Sequence, residues 1–186
     1  MINKQKTYQF ALVLKNVHEL TENLEDSLYE SGCSDALINF NNGTVYLDFD
    51  REACSLSEAV ISAIKNVELA SVKPIVVSVG PEDLVTETEI AERLSFKRQA
   101  VSLWIKRKRR TEFPFPWPVM KLSSRSPFWK WKDVVEWLYN NKLIAGNDVM
   151  EDAAFLENIN AALEERDTQV FESRKNILNQ LNFAHV

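Results

Sequence analysis

The chain has 186 residues, of which 45% are apolar, and a formal net charge of −5 at pH 7. Such a chain can bury a core, and its length allows one or two domains. No apolar run approaches the ~20 residues that span a bilayer, and the first residues are not followed by a signal-peptide core, so we expect a soluble cytoplasmic protein without a membrane partner.

Charge is distributed unevenly along the chain. Residues 1–93 carry sixteen acids against seven bases, and residues 133–186 carry ten acids against four bases. Residues 97–132 instead carry eleven bases and one acid, Glu112. A polyanion is the expected partner of this basic middle. The acidic flanks favour oligomerisation, sensing or protein contacts, because they would repel DNA unless they face away from it.

The chain begins with a predicted strand and a predicted helix. Residues 8–15 are rich in aromatic and branched side chains over strand length, and leucines follow at four-residue spacing. We therefore expect a helix over residues 18–31. Gly32 is well placed to end it in the left-handed conformation.

A hairpin is expected next. Asn42-Gly43 favours a tight turn between strands over residues 35–40 and 44–50. Val45, Leu47 and Phe49 alternate with polar residues, which predicts one buried face and one solvated face.

A second helix and a last strand complete this region. Ser55 and Glu58 form a capping box at the start of an amphipathic helix, and residues 74–80 predict a strand. The order β-α-β-β-α-β predicts a ferredoxin-like, split βαβ domain over residues 1–82, with two helices on one face of an antiparallel sheet.

The sequence offers no catalytic or metal-ligating constellation. Its two histidines are far apart, and neither Cys33 nor Cys54 belongs to a CxxC motif or a cluster with histidine. Asp48 and Asp50 lack the glycine-bearing loop of a calcium site, so we interpret them as a solvated strand face. We expect neither an enzyme nor a bound metal or cofactor.

Two short helices bent against each other are predicted after this domain. Thr86 and Glu89 form a capping box, from which a first helix begins near residue 87. Ala91 is small where the two helices would touch, Ser95 lies in the turn, and Phe96 is placed to fill the crevice between them. Val101, Trp104 and Ile105 repeat helical spacing on the second helix.

This pattern resembles the helix-turn-helix of the MerR-like and excisionase-like DNA-binding families. In those families a Pro-rich connection, a wing and an aromatic-rich return helix follow, and residues 113–119, 121–126 and 127–138 have the corresponding sequences. The resemblance covers residues 85–138 and implies a winged helix-turn-helix domain over residues 83–140. The sequence departs from the family at Ser95, where Gly is usual, and in an added basic run, residues 106–110, so base specificity is not carried over.

The candidate DNA contacts lie on the polar side of the second helix, in the basic run and in the wing. Their side chains can hydrogen-bond base edges or phosphates. The alternative is a helical hairpin with a solvated charged face, which the one-sided charge disfavours. The candidates are Lys97, Arg98, Gln99, Ser102, Lys106, Arg107, Lys108, Arg109, Arg110, Lys121, Ser124 and Arg125.

The C-terminal residues predict one long helix. Residues 149–182 lack Pro and Gly, and apolar residues recur at three- and four-residue steps with acids between them. This pattern predicts an amphipathic helix of up to about nine turns in a tail of residues 148–186. Two placements stay open, since the helix could fold back on the N-terminal domain or pair with its copy in a dimer.

These features favour a sequence-specific transcriptional regulator that binds double-stranded DNA. We expect a homodimeric, autoregulatory repressor of a bacterial or phage operon, for which an antitoxin or defence-associated operon would fit. A protein partner would contact the acidic N-terminal domain or the C-terminal helix.

An accessory protein of recombination or replication that binds nucleic acid without strict sequence choice is the alternative. All five Trp residues fall in the central domain, and aromatic residues beside basic ones can stack single-stranded bases. Trp104, Trp129 and Trp137 have core spacing, whereas the role of Trp117 is open.

Overall fold

A computed structural model describes residues 5–81, 83–109, 111–121, 126–166 and 168–182. Over these residues the chain is a mixed α+β protein with seven helices and a four-stranded antiparallel sheet. It divides into two compact units. Met1–Pro81 and Asn158–Val186 form the first, here called the sheet unit, and Glu82–Glu157 forms the second, here called the central unit. None of the described helices is long and apolar enough to cross a membrane.

The sheet unit begins with the predicted order of strands and helices. Its strands lie in the order β2-β3-β1-β4, and each neighbouring pair is antiparallel. The elements are β1 (Lys6–Lys15), α1 (Leu24–Glu30), β2 (Ala36–Asn41), β3 (Thr44–Ala53), α2 (Leu56–Leu69) and β4 (Ile75–Gly80).

The core of the sheet unit follows from alternation along its strands. Val45, Leu47 and Phe49 of β3 are buried as predicted, while Asp48 and Asp50, which alternate with them along the strand, are exposed. Buried apolar positions of α2 recur at helical spacing, so its stripe forms part of the core.

Arg51 is a charged residue at a core-facing position of β3. Its guanidinium donates to both carboxylate oxygens of Asp35, at 2.7 and 2.8 Å, and to the carbonyl oxygen of Gly32 at 3.0 Å. These partners satisfy a buried charge that would otherwise destabilise the fold.

The local turn signals of this unit are confirmed. Asn42 and Gly43 both have positive φ, and Asn41 pairs with Thr44 on either side of the tight turn. Gly32 ends α1 with φ of 91°, and a Cβ there would lie 2.4 Å from the side-chain nitrogen of Asn66. The positive φ therefore favours glycine at this position, and a Cβ would also require the Asn66 side chain to move.

The predicted start of the first helix is wrong by six residues. The helix begins at Leu24 rather than at residue 18, because local side-chain hydrogen bonds organise the preceding turn. The backbone N–H of His18 donates to the hydroxyl of Thr21 at 2.9 Å, and that of Leu20 to His18 Nδ1 at 3.2 Å. Leu20 is exposed and does not belong to the apolar stripe.

The central unit combines short helices with a two-stranded sheet. β5 and β6 pair antiparallel, and an isolated bridge joins Met120 and Phe128. The core contains apolar residues from every helix of the unit, and four of its members are tryptophans. The elements are β5 (Leu84–Val85), α3 (Glu87–Arg93), α4 (Arg98–Ile105), β6 (Trp129–Lys130), α5 (Trp131–Asn140) and the first part of α6 (Asp148–Glu165).

The C-terminal residues form two helices instead of the single predicted one. α6 ends at Glu165, and α7 spans Thr168–Asn182. Within the sheet unit, the Asn160 side chain accepts from the N–H of Val79 at 2.8 Å and donates to its carbonyl at 3.0 Å, which occupies the edge of β4. Arg166 donates to both carboxylate oxygens of Glu68 at 2.8 Å. Residues 158–166 thus fold back on the sheet unit.

Candidate nucleic-acid interface

The two helices at the predicted site begin and join as their residues dictate. Thr86 and Glu89 form the complete capping box at the start of α3, with each side chain bound to the other's backbone N–H. Ser95 follows α3 with φ of 54°, and the N–H of Phe96 donates to the carbonyl of Ala91 at 2.9 Å. This hydrogen bond reverses the chain between the helices.

The buried face of α4 fixes which of its residues face solvent. Val101 and Trp104 are buried, and the Phe96 ring packs edge-on against Trp104 with centroids 5.3 Å apart. The candidates Lys97, Arg98 and Gln99 are exposed at the first turn, and Ser102 is half-buried. The structure therefore brings these four candidates to one short helix.

Arg98 has an acidic neighbour on the preceding helix. Its Nε atom lies 3.4 Å from a carboxylate oxygen of Glu87, and its side chain remains 69% exposed. An exposed ion pair of this kind contributes about 0.2–1 kcal/mol, so it does not hold Arg98 away from a stronger partner.

The basic run continues directly from the end of α4. Lys106, Arg107, Lys108 and Arg109 are all exposed. Arg107 takes a left-handed φ of 53°, and its N–H donates to the carbonyl of Trp104 at 2.9 Å. The N–H of Lys108 donates to the carbonyl of Leu103, five residues earlier, at 2.9 Å. Together the two hydrogen bonds complete a Schellman-type helix end.

Of the remaining candidates, Lys121 alone lies among the described residues. Lys121 is exposed, with its Nζ atom 4.8 Å from the centroid of the Phe128 ring. Arg110, Ser124 and Arg125 lie outside the described residues.

Lys130 and Lys132 belong to an ion-pair cluster rather than to a free basic surface. Both ammonium groups donate to Glu157 at 2.9 Å. These hydrogen bonds, from Lys132 first and then Lys130, hold the pKa of the Glu157 carboxyl below its usual value, and the same bonds raise the pKa of both lysines. The basic residues that remain for a polyanion therefore concentrate on α4 and the run after it.

Four of the five tryptophans are buried in the core of the central unit, and the fifth, Trp117, is exposed. Trp104, Trp129 and Trp137 are buried, as expected, and so is Trp131. Trp117 is 75% exposed. The carbon at the centre of the Arg107 guanidinium lies 4.6 Å from the centroid of the Trp117 ring. This contact could not be predicted from the sequence, because nine residues lie between Arg107 and Trp117 along the chain.

The described residues hold no group of three or more His, Cys, Asp or Glu side chains that could bind a metal ion. Cys33 and Cys54 are free thiols, and burial raises the pKa of Cys33. A raised thiol pKa disfavours the thiolate, which is the reactive form.

Comparison with known proteins gave no relative. No protein-family model matches the chain, and neither the curated proteins nor the solved structures gave a significant match. The resemblance to MerR-like and excisionase-like domains therefore stays a prediction that depends on the motif residues of the central unit.

Proposed function

We propose that the central unit is a winged helix-turn-helix that binds double-stranded DNA through α4. The observation that carries this proposal is the division of α4 into two faces. Its buried face packs into an aromatic core, while Lys97, Arg98 and Gln99 are exposed at its first turn. Four further basic residues follow its last turn. A short helix with exposed donors at its start is what the major groove admits.

The connection and the short sheet fit the rest of this architecture. β5 pairs with β6, and the bridge of Met120 with Phe128 joins the two arms of the proposed wing. The sheet unit supports a ferredoxin-like fold, because its element order and its strand order β2-β3-β1-β4 agree with a split βαβ arrangement. That fold alone indicates no function.

We propose further that the protein acts as a dimeric, sequence-specific regulator, such as an autoregulatory repressor of a bacterial or phage operon. An apolar stripe on α7 supports a second copy as partner, since Phe171, Ile177, Leu178 and Leu181 are all exposed. Two copies bound to one DNA molecule raise avidity through effective concentration. A symmetric dimer would bind paired half-sites.

The alternative function is nucleic-acid binding without strict sequence choice. Trp117 favours it, because an exposed indole beside basic residues can stack on an unpaired base. A titration with matched duplex, scrambled duplex and single strand separates the two functions. The regulator prefers the matched duplex, whereas the accessory protein binds the duplexes equally and the single strand at least as well.

The proposal is tested by removing charge from the basic run. Replacement of Arg107, Lys108 and Arg109 by Ala should weaken binding to matched and scrambled duplexes alike, because basic side chains beyond the end of α4 are placed to contact phosphates rather than base edges. Each phosphate contact that is lost should lower the log–log salt slope by about 0.9. The matched control removes the same charge from exposed positions elsewhere, by replacing Lys6, Lys15 and Lys65 with Ala. An unchanged salt slope in the first variant, or an equal drop in the control, would contradict DNA binding by this surface.

A further inference from the structure

Trp117 combines high exposure with firm attachment of the chain around it. It is the most exposed aromatic side chain among the described residues, at 75%. Large aromatic residues that stay exposed on a rigid support often serve as contact points for a partner. Such a role requires that the chain hold Trp117 in one place.

The connection is anchored on both sides of Trp117. Phe115 is buried, with its ring 4.8 Å from that of Trp137, and the carbonyl of Pro116 accepts a hydrogen bond from the indole of Trp129 at 3.2 Å. On the other side, the N–H of Val119 donates to the carbonyl of Phe128 at 2.8 Å. Prolines stand immediately before and after Trp117, and each fixes its own φ. The indole is thus presented from a restrained backbone.

Arg107 reaches this indole from the end of α4. Its left-handed backbone conformation is one that glycine usually adopts at a helix end, and a non-glycine residue there is strained. The conformation directs the chain out of the helix at the point where the guanidinium meets the Trp117 ring, 4.6 Å from its centroid.

The central carbon of the Arg107 guanidinium lies over the Trp117 ring, and such a contact leaves the hydrogen-bonding capacity of the arginine intact. A guanidinium that lies over a ring uses its flat face, whereas its five N–H donors lie in its plane and point outward from its edge. An arginine that is held over a ring is therefore both restrained and free to donate to a phosphate, which it matches with two parallel hydrogen bonds.

We infer that Trp117 is a positioning residue that holds the Arg107 guanidinium ready to bind a backbone phosphate of nucleic acid. This inference rests on the proposed DNA-binding function and adds to it a residue outside the basic surface. Trp117 acts through Arg107 and need not touch the nucleic acid itself. Its contribution should therefore disappear when Arg107 is absent.

The test is a double-mutant cycle in the full-length chain. Binding to a fluorescently labelled duplex of random sequence is measured for the wild type, Arg107→Ala, Trp117→Ala and the double variant. Trp117→Ala should weaken binding about two- to fivefold, the range expected for an exposed cation–π contact, and should cost nothing further in the Arg107→Ala background. Arg107→Ala should lower the salt slope by about 0.9, and the double variant should show the same slope.

Two further variants separate positioning from structure. Trp117→Phe retains an aromatic face and should keep most of the affinity, whereas Trp117→Leu retains apolar volume without that face and should behave as Trp117→Ala does. Urea unfolding of each variant, followed by the fluorescence of the other tryptophans, should show an unchanged midpoint. If Trp117→Ala alone unfolds more easily, the Leu variant takes its place in the cycle.

Three results would overturn the inference. Equal losses on removing Trp117 with and without Arg107 would mean that the indole acts independently. A larger loss for single-stranded than for duplex DNA would mean that it stacks on bases, and no loss would mean that it has no role in binding. If the wild type binds no duplex at all, the proposed function fails and the inference fails with it, a result that the other three do not resemble.

Discussion

Arg98 is the residue on which sequence selectivity is expected to depend most. It lies at the first position of α4, where a helix in the major groove brings side chains closest to base edges. Its exposed ion pair with Glu87 is weak enough to be exchanged for a base. Gln99 follows it and is also exposed.

Replacement of Arg98 by Ala should reduce selectivity more than general affinity. A bidentate contact with a base discriminates by about 1–3 kcal/mol, so the ratio of matched to scrambled affinity should fall by roughly 5- to 150-fold. Competition titrations with the two duplexes measure this ratio directly. Lys106→Ala is the matched control, because it removes one charge from the other end of α4 and should change both affinities by the same factor. Equal losses on both duplexes in Arg98→Ala would identify Arg98 as a phosphate contact.

Predictions for single residues succeeded where residues close together in the sequence determine the local structure. The capping box of Thr86 with Glu89 and the buried positions of Val101 and Trp104 depend on spacings of three or four residues, which the sequence displays. Contacts across longer separations, such as Arg107 with Trp117 or Lys130 with Glu157, depend on the tertiary path of the chain. The count of basic residues therefore overestimated the free basic surface by two lysines.

At the scale of the helices, the turn between α3 and α4 carries a conformational cost. Ser95 occupies a left-handed conformation that usually costs a non-glycine residue about 1 kcal/mol. The local hydrogen bonds of Ser95 and Phe96 nevertheless complete the helix end. The departure from glycine noted in the sequence therefore changes stability rather than the path of the chain.

Ser95→Gly should accordingly stabilise the central unit by about 1 kcal/mol, because glycine adopts this φ without a Cβ clash. Urea unfolding followed by tryptophan fluorescence measures this unit selectively, since all five Trp residues lie within it. Ser95→Ala is the control, as it removes the hydroxyl but keeps the Cβ and should gain none of this stability. A Ser95→Gly variant no more stable than the wild type would show that the turn is unstrained.

The contact between α6 and the β6–α5 segment should make stability depend on pH. The pKa of Glu157 is lowered by its hydrogen bonds with Lys132 and Lys130, so its contribution is present above the unfolded pKa of about 4.3 and is lost as pH falls below that value. Glu157→Gln should be less stable than the wild type at pH 7, and the difference should shrink towards pH 3.

Urea midpoints of the central unit at pH 7, 5, 4 and 3 check this convergence, with the exposed Glu112→Gln as control. A constant difference between Glu157→Gln and the wild type over the whole pH range would mean that the effect of Glu157 is not due to its charge.

Prediction of helices was least successful where one apolar repeat is compatible with more than one arrangement of the chain. The apolar repeat of the tail is compatible with one long helix, and only the contacts of Asn160 and Arg166 with the sheet unit show that part of it folds back. Conversely, the leucine repeat before α1 extended beyond the helix, because a local turn of hydrogen bonds satisfies the backbone there. Periodicity alone does not reveal such alternatives.

At the scale of the whole molecule, α6 and α7 differ in the burial of their side chains. Ala153, Leu156 and Leu163 of α6 are buried, and Ala153 belongs to the core of the central unit, so removal of this helix would open that core. Every side chain of α7 for which burial is described is exposed. The proposed assembly role of the tail is therefore narrowed to α7, which contacts α6 through an ion pair of Arg174 with Glu164.

Footprinting of the full-length protein on the DNA immediately upstream of its own coding sequence tests the central claim most directly. We predict two protected half-sites about one helical turn apart, or a multiple of that spacing, at salt concentrations where scrambled DNA is unprotected. Ile177→Glu with Leu178→Glu should weaken this protection by preventing dimerisation while leaving the sequence preference intact. Uniform protection along the fragment, or none at protein concentrations that saturate single-stranded DNA, would contradict a sequence-specific regulator.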